Sequence, residues 1–149
     1  MNINDIIRDA AETVRGIPIF AGIDVLEEDK GDIAKNIETS IAKTSRCIVV
    51  GWNGCEHVAT ARPVEPGDPD ALYVQPEIIV SIYENPIVNR RDKSAPRILA
   101  MAQAVARSVN NLGTEDMDEG LHFVKITPLQ ELDRGIVTCD VVFRTKNNI

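Results

Sequence analysis

Apolar residues recur at intervals of three and four in the first segment, NINDIIRDAAETVR. Ile3, Ile6, Ile7, Ala10, Ala11 and Val14 fall on one stripe, which predicts a helix that Gly16 ends. IPIFAGI (17–23) is expected to be extended, because Pro18 disfavours helix at the residue before it. A second helix is predicted over about 30–43, with Ile33, Ile37 and Ile41 four apart and Asp29 or Asp32 as its cap. RCIVVGW (46–52) is a β-branched run closed by glycine and reads as a strand. HVATAR (57–62) and 77–84 predict two more strands.

The third helix has the strongest pattern. Ser94 is placed to cap it and Pro96 suits its first turn. Ile98, Ala102, Val105, Val109 and Leu112 make its stripe, and Gly113 stops it. LHFVKIT (121–127) and IVTCDVVFRT (136–145) predict a closing hairpin with ELDRG (131–135) as its turn. In the last strand Val137, Cys139, Val141 and Phe143 share one face, while Thr138, Asp140 and Arg144 share the other. That alternation marks a sheet with one face wet or used for contact. The expected architecture is an α/β (α+β) domain spanning 1–149. It has a mostly antiparallel or mixed sheet of about four to five strands, with three helices packed on one face. PVEPGDPDALYVQP, around 63–76, is expected to be a Pro-rich surface loop.

Composition narrows the function. With 149 residues and a net charge of −7, the chain is large enough for an ordinary core and too acidic to grip nucleic acid generally. The start, MNINDIIRDAAETVRG, lacks the basic and apolar runs of a signal peptide, and no segment approaches the roughly 18 apolar residues of a membrane span. A cytoplasmic location is therefore expected, with Cys47, Cys55 and Cys139 as reduced thiols.

Candidate chemistry is sparse. GCEH places Cys55, Glu56 and His57 together, but no second Cys or His pair completes a zinc set. GWNG lacks the spacing of a phosphate loop. EED (27–29) and EDMDE (115–119) read as solvated acidic runs, without the ligand pattern of a calcium loop. No catalytic, metal or cofactor-binding residue is assigned, and no cofactor is expected. Arg90 and Arg91, with Arg97 nearby, form the one basic patch. They end ENPIVNRR, which sets Ile87 and Val88 among Glu84, Asn85 and Asn89.

The order of CIVVG after an Ile-striped helix, EIIVSIYENPIVNR before APRILAMAQAVARSVNNL, and the final ITPLQELDRGIVTCDVVFRT resembles the tail terminator, or tail completion, proteins of long-tailed phages and prophages. The resemblance covers roughly 1–145. It implies a non-enzymatic structural protein that forms a homo-oligomeric ring, commonly a hexamer. Such a ring caps the tail tube, meets the major tail tube protein and the head–tail connector, and lets DNA pass without specific binding or membrane contact. It would assemble in the cytoplasm and end in the virion tail. Two other readings stand beside it. One is another head–tail adaptor or neck protein. The other is a small cytoplasmic α/β enzyme or ligand-binding protein with a site near Trp52, Cys55 and His57. Exposed aliphatics rimmed by Arg and Asn suit a subunit interface, so Glu84, Asn85, Ile87, Val88, Asn89, Arg90 and Arg91 are the expected contact. Replacing Arg90 and Arg91 with Glu is predicted to weaken assembly, which light scattering reads as a fall in particle mass.

Overall fold

The computed structural model describes residues 1–29, 31–58, 65–68, 72–89 and 96–148. Helix α1 (Ile3–Arg15) begins where Asn2 Oδ1 accepts the Asn4 N–H at 3.0 Å, and Gly16 closes it. Its buried residues, Ile6, Ile7, Ala10, Ala11 and Val14, follow the stripe of the sequence. Helix α2 (Ile33–Thr44) is capped by Asp32, which accepts the Lys35 N–H, and ends at Ser45 in the left-handed region. Helix α4 (Ile98–Val109) begins after Arg97, which provides no side-chain cap, and stops at Asn110, three residues short of Gly113. The expected cap, Ser94, lies outside the described residues.

The strands are β1 (Asp24–Glu27), β2 (Arg46–His57), β3 (Tyr73–Glu84), β4 (His122–Ile126), β5 (Gln130–Glu131), β6 (Val137–Arg144) and β7 (Asn147–Asn148). They form one open, mixed, 7-stranded sheet in the order β1-β2-β3-β6-β4, larger than the four to five strands expected. β5 extends the edge beside β6 and β7 pairs with the start of β3. Among the described residues only β1 against β2 is parallel; the other pairings are antiparallel.

Three expectations change. The segment expected to be extended over 17–23 contains a 3-10 turn, Pro18–Phe20, which buries Phe20, and the strand starts only at Asp24. Proline had set the backbone of Ile17 alone, not that of the run. β2 continues through His57 instead of breaking after Trp52. A register shift between Trp52 and Cys55, with Gly54 at φ 87°, absorbs the two glycines. Positions 59–62 of the expected HVATAR strand lie outside the described residues.

The third change concerns the helices, which cover both faces. Val25, Ile48, Ile78, Val80, Val141 and Phe143 point into the core with α1 and α4. Their strand neighbours Asp24 and Cys47 therefore point the other way. Ser40 of α2 donates to Asp24 Oδ2 at 2.7 Å, which places α2 on that second face. Ile33, Ile37 and Ile41 are only half-buried there. Met101→Ala, at a fully buried site in α4, is predicted to cost about 2–5 kcal/mol. Ile37→Ala on the half-covered side should cost nearer 1 kcal/mol. Urea unfolding of the two variants checks the contrast.

Candidate assembly surface

β3 ends at Glu84, and the chain turns through the one-turn helix α3 (Pro86–Asn89). Proline fits the first helical position because the missing N–H is not needed there. Asn85 anchors the turn: its N–H donates to Ser45 O at 2.8 Å and its Oδ1 accepts the Val88 N–H at 3.3 Å. Asn89 is buried, and its Nδ2 donates to Pro96 O at 3.2 Å. With both asparagines occupied inward, Ile87 and Val88 are left 67% and 45% exposed.

Glu84 is turned into the protein. It is buried at the edge of the core face, with Arg97 Nη1 at 3.9 Å from its Oε1 and, among the described residues, no hydrogen-bond partner for Oε2. That separation is too long for a hydrogen bond. Arg90 and Arg91 lie outside the described residues. Of the expected contact segment, Ile87 and Val88 present the surface, while Asn85 and Asn89 hold its shape.

The turn does not stand alone. A side-chain carbon built on Gly135 would lie 3.9 Å from Ile87 Cδ1, so α3 packs beside the 3-10 turn Asp133–Gly135. The segment leading to that turn exposes Phe123, Val124, Leu129 and Leu132. These four were not singled out from sequence, because nothing in HFVKI or PLQEL says that β4 and β5 form an edge. Beside them, a wide trough of about 820 Å³ runs between Glu38 of α2 and the residues Glu131, Leu132, Asp133, Arg134 and Ile136.

Trp52, Cys55 and His57 do not converge. Trp52 lines a hollow with Met1–Asn4 at the start of α1, and its backbone N–H donates to Glu28 Oε2 at 3.1 Å. Cys55 borders a different hollow of about 360 Å³, floored by Glu77 and Arg144, which pair at 2.9 Å. Desolvation pushes the Glu77 carboxyl up. Hydrogen bonds from Asn53 and Arg144, with the charges of Arg144 and Lys125, outweigh it and hold the group below its usual range. His57 is exposed on β2. Among the described residues, no group of three or more His, Cys, Asp and Glu is placed to hold a metal ion. No helix among them is long and apolar enough to cross a membrane.

Burial separates the thiols. It pushes both Cys47 and Cys139 up to about 11, whereas Cys55 is exposed. Their folded values lie above the ordinary 9.0, so the neutral thiols add stability that is fully present below about 9. That contribution falls as pH rises toward about 11. A colorimetric thiol reagent at pH 8 is predicted to label Cys55 alone in the native protein and all three cysteines once it is denatured.

No family model matches the chain, and no curated protein sequence matches it. Solved structures do share its fold. A chain from the virion of a native gene transfer agent particle superposes with a TM-score of 0.51 at 13% identity, over 94% of this chain and 92% of that one.

Proposed function

We propose that this chain is a structural subunit of a phage-like particle, and within that class a ring-forming tail terminator. The observation that carries the reading is the shared fold with a virion chain over 94% of the length. The main elements, α1, β1, α2, the long β2–β3 pair, α4 and the β4–β6 pair, follow an order compatible with the terminator resemblance, with the short strand at Asp24–Glu27 and not at 17–23. In this role the sheet is a rigid wedge, the ring is homo-oligomeric, and the contacts lie at its margins. The net charge of −7 suits a collar through which DNA slides, since few cations are available to hold the phosphates. The partners are further copies of the chain, the tail tube protein on one side and the head connector on the other. Assembly takes place in the cytoplasm, and the finished ring travels in the virion tail.

Ile87 and Val88 are the side chains through which the α3 turn meets a neighbour. Because they are solvent-exposed in the single chain, Ile87→Asp and Val88→Asp should change unfolding free energy by no more than about 0.5 kcal/mol. Multi-angle light scattering should show wild-type rings of uniform mass, and electron micrographs should show a central hole. Both variants should run as smaller species. Wild-type protein that forms no ring, either alone or when mixed with tail tubes, overturns the reading. A ring that binds the head connector but never a tube end would make it an adaptor instead.

A further inference from the structure

Asparagine followed by glycine occurs once in this chain, at Asn53–Gly54. Such a pair can modify itself. The backbone nitrogen of the second residue attacks the side-chain carbonyl carbon of the first, and glycine leaves that approach open because it has no Cβ. The other asparagines all precede residues that carry a side chain, and Asn85 precedes Pro86, which has no N–H to lose.

Whether the pair reacts depends on where the fold puts it. A regular ladder would hold both residues between paired neighbours, but these two sit in the β2 bulge. Trp52 pairs with Ile78 and Cys55 with Pro76, so Asn53 and Gly54 stand together against Glu77 alone. A bulge of this kind leaves its extra residue out of the ladder. Gly54 has φ 87°, and a side-chain carbon built on it would meet nothing within 4 Å. Asn53 is exposed, and both residues border the hollow of about 360 Å³ beside Cys55 and Arg144. A closing ring has room there, and water has access. One contact restrains the amide: Asn53 Nδ2 donates to Glu77 Oε1 at 3.1 Å. A single hydrogen bond at an exposed site is a modest restraint.

We propose that Asn53 deamidates spontaneously in the folded protein, because the β2 bulge leaves it able to cyclise with Gly54. The Gly54 N–H gives its proton to hydroxide, and the nitrogen bonds to Asn53 Cγ. The Cγ–Nδ2 bond breaks, Nδ2 takes a proton from water and leaves as ammonia, and a succinimide ring remains. Water then opens the ring. Attack at Cγ gives aspartate, and attack at the Asn53 main-chain carbonyl carbon gives isoaspartate. Either product puts a carboxylate opposite Glu77 where a donor stood, while Arg144 is already paired to Glu77 at 2.9 Å. Isoaspartate also lengthens the β2 main chain by one carbon, just before the Cys55–Pro76, Glu56–Gln75 and His57–Val74 pairs. The outer end of the β2–β3 pair is therefore the part that the modification loosens.

The test is incubation of the native protein at pH 8 and pH 9, followed by peptide mapping in the mass spectrometer and labelling of isoaspartate by an isoaspartyl methyltransferase. Asn53 should convert at a rate that rises in proportion to hydroxide, and anion exchange should resolve a species with one more negative charge. Asn53→Gln should not form it, because the longer side chain closes a ring far more slowly. Met101→Ala, which raises the unfolded population, should leave the native rate unchanged. A rate that climbs in step with that population would mean the reaction waits for unfolding, and would sink the proposal. Native protein with Asn53 intact after the guanidinium-unfolded chain has converted would sink it too, since the bulge would then protect the pair. Conversion that begins at another asparagine of the folded chain counts equally against it. None of these outcomes touches the ring reading.

Discussion

The alternation along β3 decides which face of this sheet is closed. Val74, Pro76, Ile78, Val80, Ile82 and Glu84 are buried, and every residue between them is half-exposed. β3 is the strand that pairs β2 on one side and β6 on the other over most of its length, so its register sets both neighbours. Ile78, Val80 and Ile82 meet Trp52, Val50 and Ile48 on one flank, and Phe143, Val141 and Cys139 on the other. A slip of one residue would turn this apolar block outward and the Ser81–Asp140 and Glu77–Arg144 pairs inward. Burial of Ile48, Val50, Ile78, Val80, Ile82, Val141 and Phe143 against α1 and α4 makes that slip prohibitive. The main core is therefore one-sided, and the second face is covered by α2, over Cys47 and Asp24, with Ile33, Ile37 and Ile41 half-buried.

How much of this was legible follows from which patterns depend on local spacing alone. The stripes of α1 and α4 and the two-residue period of β6 were readable, because each reports a face buried against something, whatever that something is. The side of the sheet was not readable for α2. Ile33, Ile37 and Ile41 make the same stripe on either face, and only the Ser40–Asp24 hydrogen bond, sixteen residues apart in sequence, reveals the choice. The first strand was misplaced because Pro18 constrains only its neighbour, while burial of Phe20 favours a tight turn. Strand order was hidden too, and with it the edge position of β4. Hence nothing in the sequence marked Phe123 and Val124 as exposed.

The candidate surface was half legible for the same reason. ENPIVNRR advertised two aliphatics among polar groups, and Ile87 and Val88 are exposed as that composition implied. Glu84 and Asn89 are polar in sequence yet buried in the fold. Glu84 continues the inward phase of β3, and Asn89 closes a local hydrogen bond to the start of α4. A polar residue's role in such a turn depends on the phase of the strand before it, which composition does not carry.

That the sheet ends in two unlike edges has a consequence for shape. If β4 and β1 could pair directly, copies would extend one another's sheets along a common axis, and nothing would limit growth. The register shift at Val124, the Asn110 cap and the Arg15–Val25 contact remove that geometry. In the proposed ring, contact between copies would then fall to side chains on a rigid wedge, where the bulk of exposed residues such as Phe123, Leu129 and Leu132 would set the angle. An angle fixed by packed side chains repeats identically at every junction, and repetition of one angle is what closes a ring at a definite number of subunits.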